Sequence, residues 1–400
     1  MEENKTKFSA KSLILSGLVI FLLIFLVTQF SVSNLASGNI KKDVEKMYEA
    51  CEGLQGKENC YAKAFDGLTR TSDMNYAFSV LRELQKKDTQ ARGCHFIAHS
   101  ISTAETQKDT TKWREVMNSA PQDCSYGGAH GAIEVYASSF PDGKLPKEEI
   151  PFICENPDTK NCTHGLGHLI LIETENDIEE SLAICHSLPH QPIAIFECLT
   201  GVFMERITAL NLEVHGLAGP EALNWAARVP ELEALCRAQS GTNSIACWKE
   251  IVHAVVVRER NNAQAVVNFC EKAPAEVETR QCIDHALGIL TAGYDFDLSK
   301  MSPICEARAQ ASDFPNRCTA HLVSAVLSTT PQETESAVRY CNQTEPQYQK
   351  DCFSMIGNTL YMASTENKAN LSRACQKAPD EFQTLCQFGG PTDIIFYSGN

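Results

Sequence analysis

The sequence predicts an all-α fold: a right-handed α-solenoid of about ten disulfide-stapled helical hairpins carried on one N-terminal transmembrane helix. Three observations predict it. Eighteen cysteines, all after residue 50, recur at a repeating interval. Part of that interval is constant while the rest varies. A single apolar run, Leu13 to Phe30, precedes the whole array.

The apolar run sets the topology. Residues 1–12 are polar, with Lys5, Lys7 and Lys11, and residues 13–32 form the expected membrane segment. About 18 apolar residues is close to the minimum that crosses a bilayer. Two readings stand. One is an uncleaved signal-anchor with its Lys-bearing end inside, which the length of the run favours. The other is a cleaved signal peptide with Ala36 at the cleavage site. Both place the bulk of the chain outside the cytosol, after a linker over 33–42. All the cysteines lie on that side of the run, which fits an oxidising compartment and disulfides. No Cys-x-x-Cys, P-loop, Gly-x-Ser-x-Gly or His-Glu-x-x-His occurs, so those zinc-ribbon, redox, nucleotide and hydrolase motifs are absent.

Charge narrows the partners. The net charge is −15, and residues 1–42 carry five Lys and two Glu, so 43–400 stands at −18. A chain this acidic repels a phosphate backbone, and a nucleic-acid partner is not expected. The fold must also accommodate 400 residues, more than one ordinary core holds.

The cysteine spacing supplies the repeat. Cys162 to Cys185, Cys247 to Cys270, Cys282 to Cys305, Cys318 to Cys341 and Cys352 to Cys375 each span 23 residues, while the alternate interval varies from 8 to 13. A constant interval implies fixed helix lengths, and a variable one implies a loop. Each unit is therefore read as a helix A ending at one Cys and a helix B beginning near the next. Expected A helices are Asn176–Cys185, Ala263–Cys270 and Glu333–Cys341; expected B helices are Cys282–Leu290 and Cys318–Leu327. Pro189, Pro192, Pro274 and Pro346 fall in the expected loops, and Val214–Pro220 reads as an inserted loop. Residues 43–174 form the N-terminal hairpins, 175–388 the regular ones, and 389–400 a docked or frayed tail.

Pairing within hairpins joins Cys51 to Cys60, Cys154 to Cys162, Cys185 to Cys198, Cys236 to Cys247, Cys270 to Cys282, Cys305 to Cys318, Cys341 to Cys352 and Cys375 to Cys386. It leaves only Cys94 and Cys124. Pairing between hairpins strands at least four cysteines, so the first scheme is preferred. Cys94 and Cys124 either bridge each other, which an oxidising compartment favours, or stand as thiolates beside a histidine cluster.

The segment Tyr48-Glu-Ala-Cys51, followed by Cys60-Tyr-Ala-Lys-Ala-Phe, resembles the tetratricopeptide superfamily. It is more similar to the Sel1-like, disulfide-stapled hairpins of cysteine-rich secreted bacterial proteins. The resemblance covers repeat length and stapling over most of 43–388. It implies peptide or protein-partner binding on a concave face, and it implies no catalytic residue.

Histidines gather where the repeat departs from its own rule. Hairpins two and three lack a helix A cysteine, the equivalent positions lying near Leu84 and Asn118. After Cys94 come His95 and His99; after Cys124, His130 and Glu134; after Cys162, His164 and His168. Each pair is spaced i, i+4 and shares one helix face. If successive B helices lie side by side, these six residues converge. Gly127, Gly128, Gly131, Gly165 and Gly167 accompany them; glycine costs about 1 kcal/mol in a helix, usually offset by close helix approach or room for a ligand.

The functional reading is a metal site for Zn, Fe or Cu, with Glu134 as ligand or general base and Glu173 as a nearby acid that can take either role. The arrangement compares with carboxylate–histidine bundles that hold di-iron centres, although those are richer in Glu. Whether such a site performs oxidation, hydrolysis or no catalysis is open. The competing reading is a non-enzymatic scaffold in which histidine is a packing residue. His253 stands six residues after its Cys, as His130 and His168 do, and His285 and His321 each stand three after theirs. Glu250 with His253, and Asp284 with His285, are weaker candidates for a second polar site. Trp113, Trp225 and Trp248 are expected in the core, and His186 and His190 at the surface. Asn161, Asn342 and Asn370 begin glycosylation sequons.

Overall fold

The computed structural model describes residues 39–54, 57–92, 94–121, 124, 127–140, 145–154, 160–189, 191–208, 225–307, 314–360 and 365–391. Among them the chain is all-α, with about twenty helices and no strand. The expected membrane segment at 13–32 and the inserted loop at 214–220 lie outside the described residues. Among the described residues no helix is long and apolar enough to cross a membrane.

The helices alternate along the chain between two sets, A and B. The B helices are α2 (Lys57–Thr71), α4 (His95–Lys108), α6 (Gly127–Ser138), α8 (Lys160–Glu173), α10 (Pro192–Thr208), α12 (Gly241–Glu250) continued by α13 (Val252–Arg258), α15 (Glu276–Ala292), α17 (Phe314–Thr329), α19 (Pro346–Leu360) and α21 (Gln383–Phe388). Each packs against the next in this order, so they form one continuous row. The A helices alternate with them along the chain: α1 (39–51), α3 (Met74–Lys87), α5 (Trp113–Ser119), α7 (Ile150–Ile153), α9 (Ile178–Ser187), α11 (Trp225–Ala238), α14 (Ala263–Cys270), α16 (Ser302–Cys305), α18 (Thr334–Gln343) and α20 (Thr365–Cys375). This is a helical-repeat-like, all-helical fold with paired cysteines.

One turn recurs between B and the next A. After α8, α13 and α15 two non-glycine residues take left-handed backbone: Glu175 and Asn176, Arg260 and Asn261, Asp295 and Phe296. In each copy the second donates its N–H to a carbonyl five residues back: Asn176 to Leu171 at 2.9 Å, Asn261 to Val256 at 3.1 Å, Phe296 to Thr291 at 3.0 Å. That bond closes the helix C-terminus. The next residue is an Asp or Asn whose side chain caps the start of the succeeding helical turn. Asp177 accepts from Glu180, Asn262 from Ala265, and Asp297 from Ser299.

Nine disulfides join the eight within-hairpin pairs and Cys94 to Cys124, with Cα atoms 5.0–5.8 Å apart. No described cysteine is free. Nine bridges fit an oxidising, extracytoplasmic environment.

Several boundaries differ from expectation. The two B helices expected to start at their cysteine begin one to two turns before it: α15 starts at Glu276, not Cys282, and α17 at Phe314, not Cys318. Pro192 and Pro346 are the first residues of α10 and α19, not loop residues. An N–H is unneeded at that position, and the fixed φ of proline suits it. Two of the A helices with expected bounds run slightly past their cysteine, α9 to Ser187 and α18 to Gln343, and start at Ile178 and Thr334. Residues 39–42, expected in the linker, begin helix α1. Trp113 and Trp248 are buried as expected, and His186 is exposed.

The glycines near the histidines serve close approach. A Cβ on Gly127 or Gly131 of α6 would overlap the carbonyl oxygen of His95 or His99 on α4. Likewise a Cβ on Gly201 of α10 would overlap the His164 carbonyl, and one on Gly167 the Cys198 carbonyl. Backbone therefore meets backbone between α4 and α6 and between α8 and α10. Arg92, following α3, also donates to the Asp295 carbonyl at 3.3 Å and pairs with Glu333 at 3.1 Å.

Asp88 ties the first hairpins together. Its Oδ2 accepts from the Tyr61 hydroxyl at 2.6 Å and from Lys57 Nζ at 2.9 Å. Its Oδ1 accepts from the Gln90 N–H at 2.9 Å. Burial pushes its carboxyl up, but the hydrogen bonds from Tyr61, Lys57 and Gln90 outweigh that and hold it below its ordinary value. A carboxyl depressed on folding contributes stability above its unfolded value and loses it as pH falls through the folded value. Asp88→Asn is therefore expected to cost ~1.5 kcal/mol at neutral pH. The difference from wild type should shrink on acidification through the carboxylate range. Thermal unfolding of both proteins along that titration checks it.

Candidate metal centre

Polar side chains form a ribbon across the B row, in a molecule whose B helices are otherwise packed through apolar residues. Among the described residues one trio has ligand atoms that all lie within 4.8 Å of one another: Glu250, His253 and His285. Glu250 ends α12, His253 lies one turn on in α13, and His285 faces them from α15. Glu250 Oε2 is 3.4 Å from Nε2 of both histidines, and the two Nε2 atoms are 3.1 Å apart. For metal–ligand bonds near 2.1 Å, donor atoms in tetrahedral or octahedral sites stand about 3.0–3.4 Å apart. A point about 2.1 Å from all three atoms lies just outside their plane. This group can hold a metal ion.

Its electrostatics suit that role. Glu250 is 1% exposed. Burial pushes its carboxyl up, but the nearby His285, Lys249 and His253 side chains outweigh that and hold it well below its ordinary value. It is thus ionised. Burial holds the His285 imidazole down against the pull of Glu250. Two histidines and one carboxylate leave coordination positions open for water or substrate. Lys249 Nζ sits 3.3 Å from Glu250 Oε1 and 3.9 Å from Glu197 Oε2, linking this group to α10.

The six residues marked in the sequence divide into two sets. His99 Nε2 pairs with Glu134 Oε2 at 3.0 Å across α4 and α6. The remaining four form a chain of ring contacts. His95 touches His130 with centroids 5.1 Å apart, and His130 lies 5.4 Å from His164 and 5.2 Å from His168. His164 and His168 are 4.9 Å apart by centroid and 3.2 Å apart between Nε2 atoms. Burial holds His130 and His164 well below their ordinary pKa, with neighbouring imidazoles adding to the effect. The acid partner of His168 is Glu205 of α10, with Oε2 2.7 Å from Nδ1.

Sequence reasoning passed over Glu205, Thr200 and Glu197 on α10, and it ranked Glu250, His253 and His285 too low. The signal was present. Glu250 and His285 stand three residues after their cysteine and His253 six, the offsets shared with His130, His168 and His321. Read as evidence for packing, these offsets also mark one face. The ribbon continues to α17, where Arg317 pairs with Asp284 and His321 Nε2 lies 3.3 Å from Asp284 Oδ1.

Comparison with protein-family models, curated proteins and solved structures gives no match, so the tetratricopeptide-like and Sel1-like resemblance rests on repeat length and stapling.

Proposed function

We propose that this is a membrane-anchored, extracytoplasmic helical-repeat protein that binds a divalent transition metal on its row of B helices. The apolar run at Leu13–Phe30 and the nine disulfides support the placement. The Glu250, His253 and His285 group carries the metal reading, because a buried carboxylate meets two imidazole nitrogens at metal-donor spacing. Imidazole with carboxylate suits Zn, Fe or Cu. When bound, such an ion supplies Lewis acidity at its open positions. The chain's own groups hold the Glu250 carboxyl below its ordinary value and set Lys249 beside the site.

The test is metal content. Full-length protein, stripped and reloaded with Zn, is compared with Glu250→Gln and with His253→Ala. Each variant is expected to lose about one equivalent while keeping the helical circular dichroism of wild type. Unchanged content in both would remove this reading and favour a scaffold that binds peptide or protein partners, with histidine as packing.

A further inference from the structure

His164 and His168 raise a problem that packing does not solve. Glu205 Oε2 stands 2.7 Å from His168 Nδ1. An ionised carboxylate only accepts, so His168 carries its proton on Nδ1. Thr200 Oγ1 stands 2.9 Å from His164 Nδ1. The same hydroxyl donates to the Glu197 carbonyl at 2.8 Å, so it accepts from His164. Glu197 Oε2, 3.9 Å from His164 Nδ1, favours a proton there as well. Both imidazoles then present an Nε2 lone pair to the other across 3.2 Å. Two lone pairs at that distance repel unless a shared proton or a metal ion lies between them.

His130 packs beside this pair. His130 is 4% exposed, its ring touches both histidines, and its Nε2 has no hydrogen-bond partner among the described residues. Room for that ring is made by Gly165, where a Cβ would stand 2.8 Å from His130 Cδ2.

We propose that His164 and His168 bind a second metal ion through their Nε2 atoms, with Glu205 and Thr200 holding the tautomers. The site is distinct from the Glu250 group and does not depend on it. With bonds near 2.1 Å, a 3.2 Å nitrogen separation gives a ligand–metal–ligand angle of about 100°, between octahedral and tetrahedral values. Glu205 behind His168 is the carboxylate–histidine–metal arrangement that raises ligand basicity. The donors are all imidazole, so the ion is a borderline transition metal such as Zn(II), Ni(II) or Cu(II), and not Mg(II) or Ca(II). Glu205 and Glu197 offset its charge from outside the donor set.

Co(II) titration of the stripped full-length chain tests this, with bound metal counted after desalting. Wild type is expected to hold two equivalents, His168→Ala one, His253→Ala one, and the double variant none. Glu205→Gln is expected to weaken the His164/His168 site about 10- to 100-fold while the Glu250 site is unchanged. Full retention of two equivalents by His168→Ala would overturn the proposal. So would a wild-type protein whose only metal is lost with His253, the result expected if a shared proton, not a metal, bridges His164 and His168. If His168→Ala fails to fold, the Glu205→Gln affinity decides: no weakening overturns the proposal. Failure of the Glu250 site alone would appear as metal retained in His253→Ala and lost in His168→Ala.

Discussion

Replacing Cys94 and Cys124 with serine is expected to give the largest loss of stability among the nine bridges, about 3.5 kcal/mol in the chain-entropy model. The reason is loop length. This bridge closes 30 residues, whereas the other eight close 8 to 13. The same model gives those about 2.5–3 kcal/mol each. Position adds to length. Cys94 immediately precedes α4 and Cys124 lies three residues before α6, and both are buried. The bridge thus clamps the two helices that carry His95, His99, His130 and Glu134. No side-chain hydrogen bond from the residue preceding α4 caps that helix, so the covalent link is a principal restraint on its start. Urea unfolding of the non-reduced double variant, followed by circular dichroism, checks the ranking against Cys185→Ser with Cys198→Ser. A smaller loss than for that control contradicts the account.

The second large effect is expected at Gly201. A Cβ there would overlap the carbonyl of His164, which is backbone and has no rotamer to escape into. Gly201→Ala must therefore push α8 and α10 apart. Overpacking of this kind costs ~3 kcal/mol. The consequence for the site is specific. Thr200 and Glu205 on α10 orient His164 and His168 on α8, so separating the helices breaks both hydrogen bonds. The variant is expected to lose Co(II) from the His164/His168 site and retain it at Glu250, His253 and His285. A stability equal to that of wild type, with both sites intact, contradicts the close-approach argument. Gly288→Ala is the control, because a Cβ there meets nothing within 4 Å and alanine is the better helix former.

Much of this arrangement was legible in residue spacing. Constant intervals between cysteines reported fixed helix lengths, and the bridges then came from counting. Glycines beside His130 and His164 signalled close helix approach before any helix was placed. Three things escaped. The starts of B helices did, because Glu276 to Gln281 is polar and carries no apolar periodicity, and because Pro192 and Pro346 look like loop residues unless the first helical position is considered. The partner of His168 did, because Glu205 lies 37 residues away and only the α8–α10 contact joins them. The Glu250 trio did, because its members come from two hairpins with a single histidine each, and a lone histidine is ordinarily a packed one. Repeat proteins make this last error easy to commit: an offset that recurs along the chain marks both a packing position and a shared face.

The account turns on whether neighbouring B helices bring their imidazoles to metal-donor spacing. Anomalous diffraction from crystals of the Zn-loaded full-length chain, collected at the zinc edge, measures this most directly. Two peaks are predicted, one between Nε2 of His164 and His168 and one within about 2.1 Å of Glu250, His253 and His285. A loaded crystal with no anomalous density at either place, its imidazoles instead turned into separate apolar layers, would contradict it.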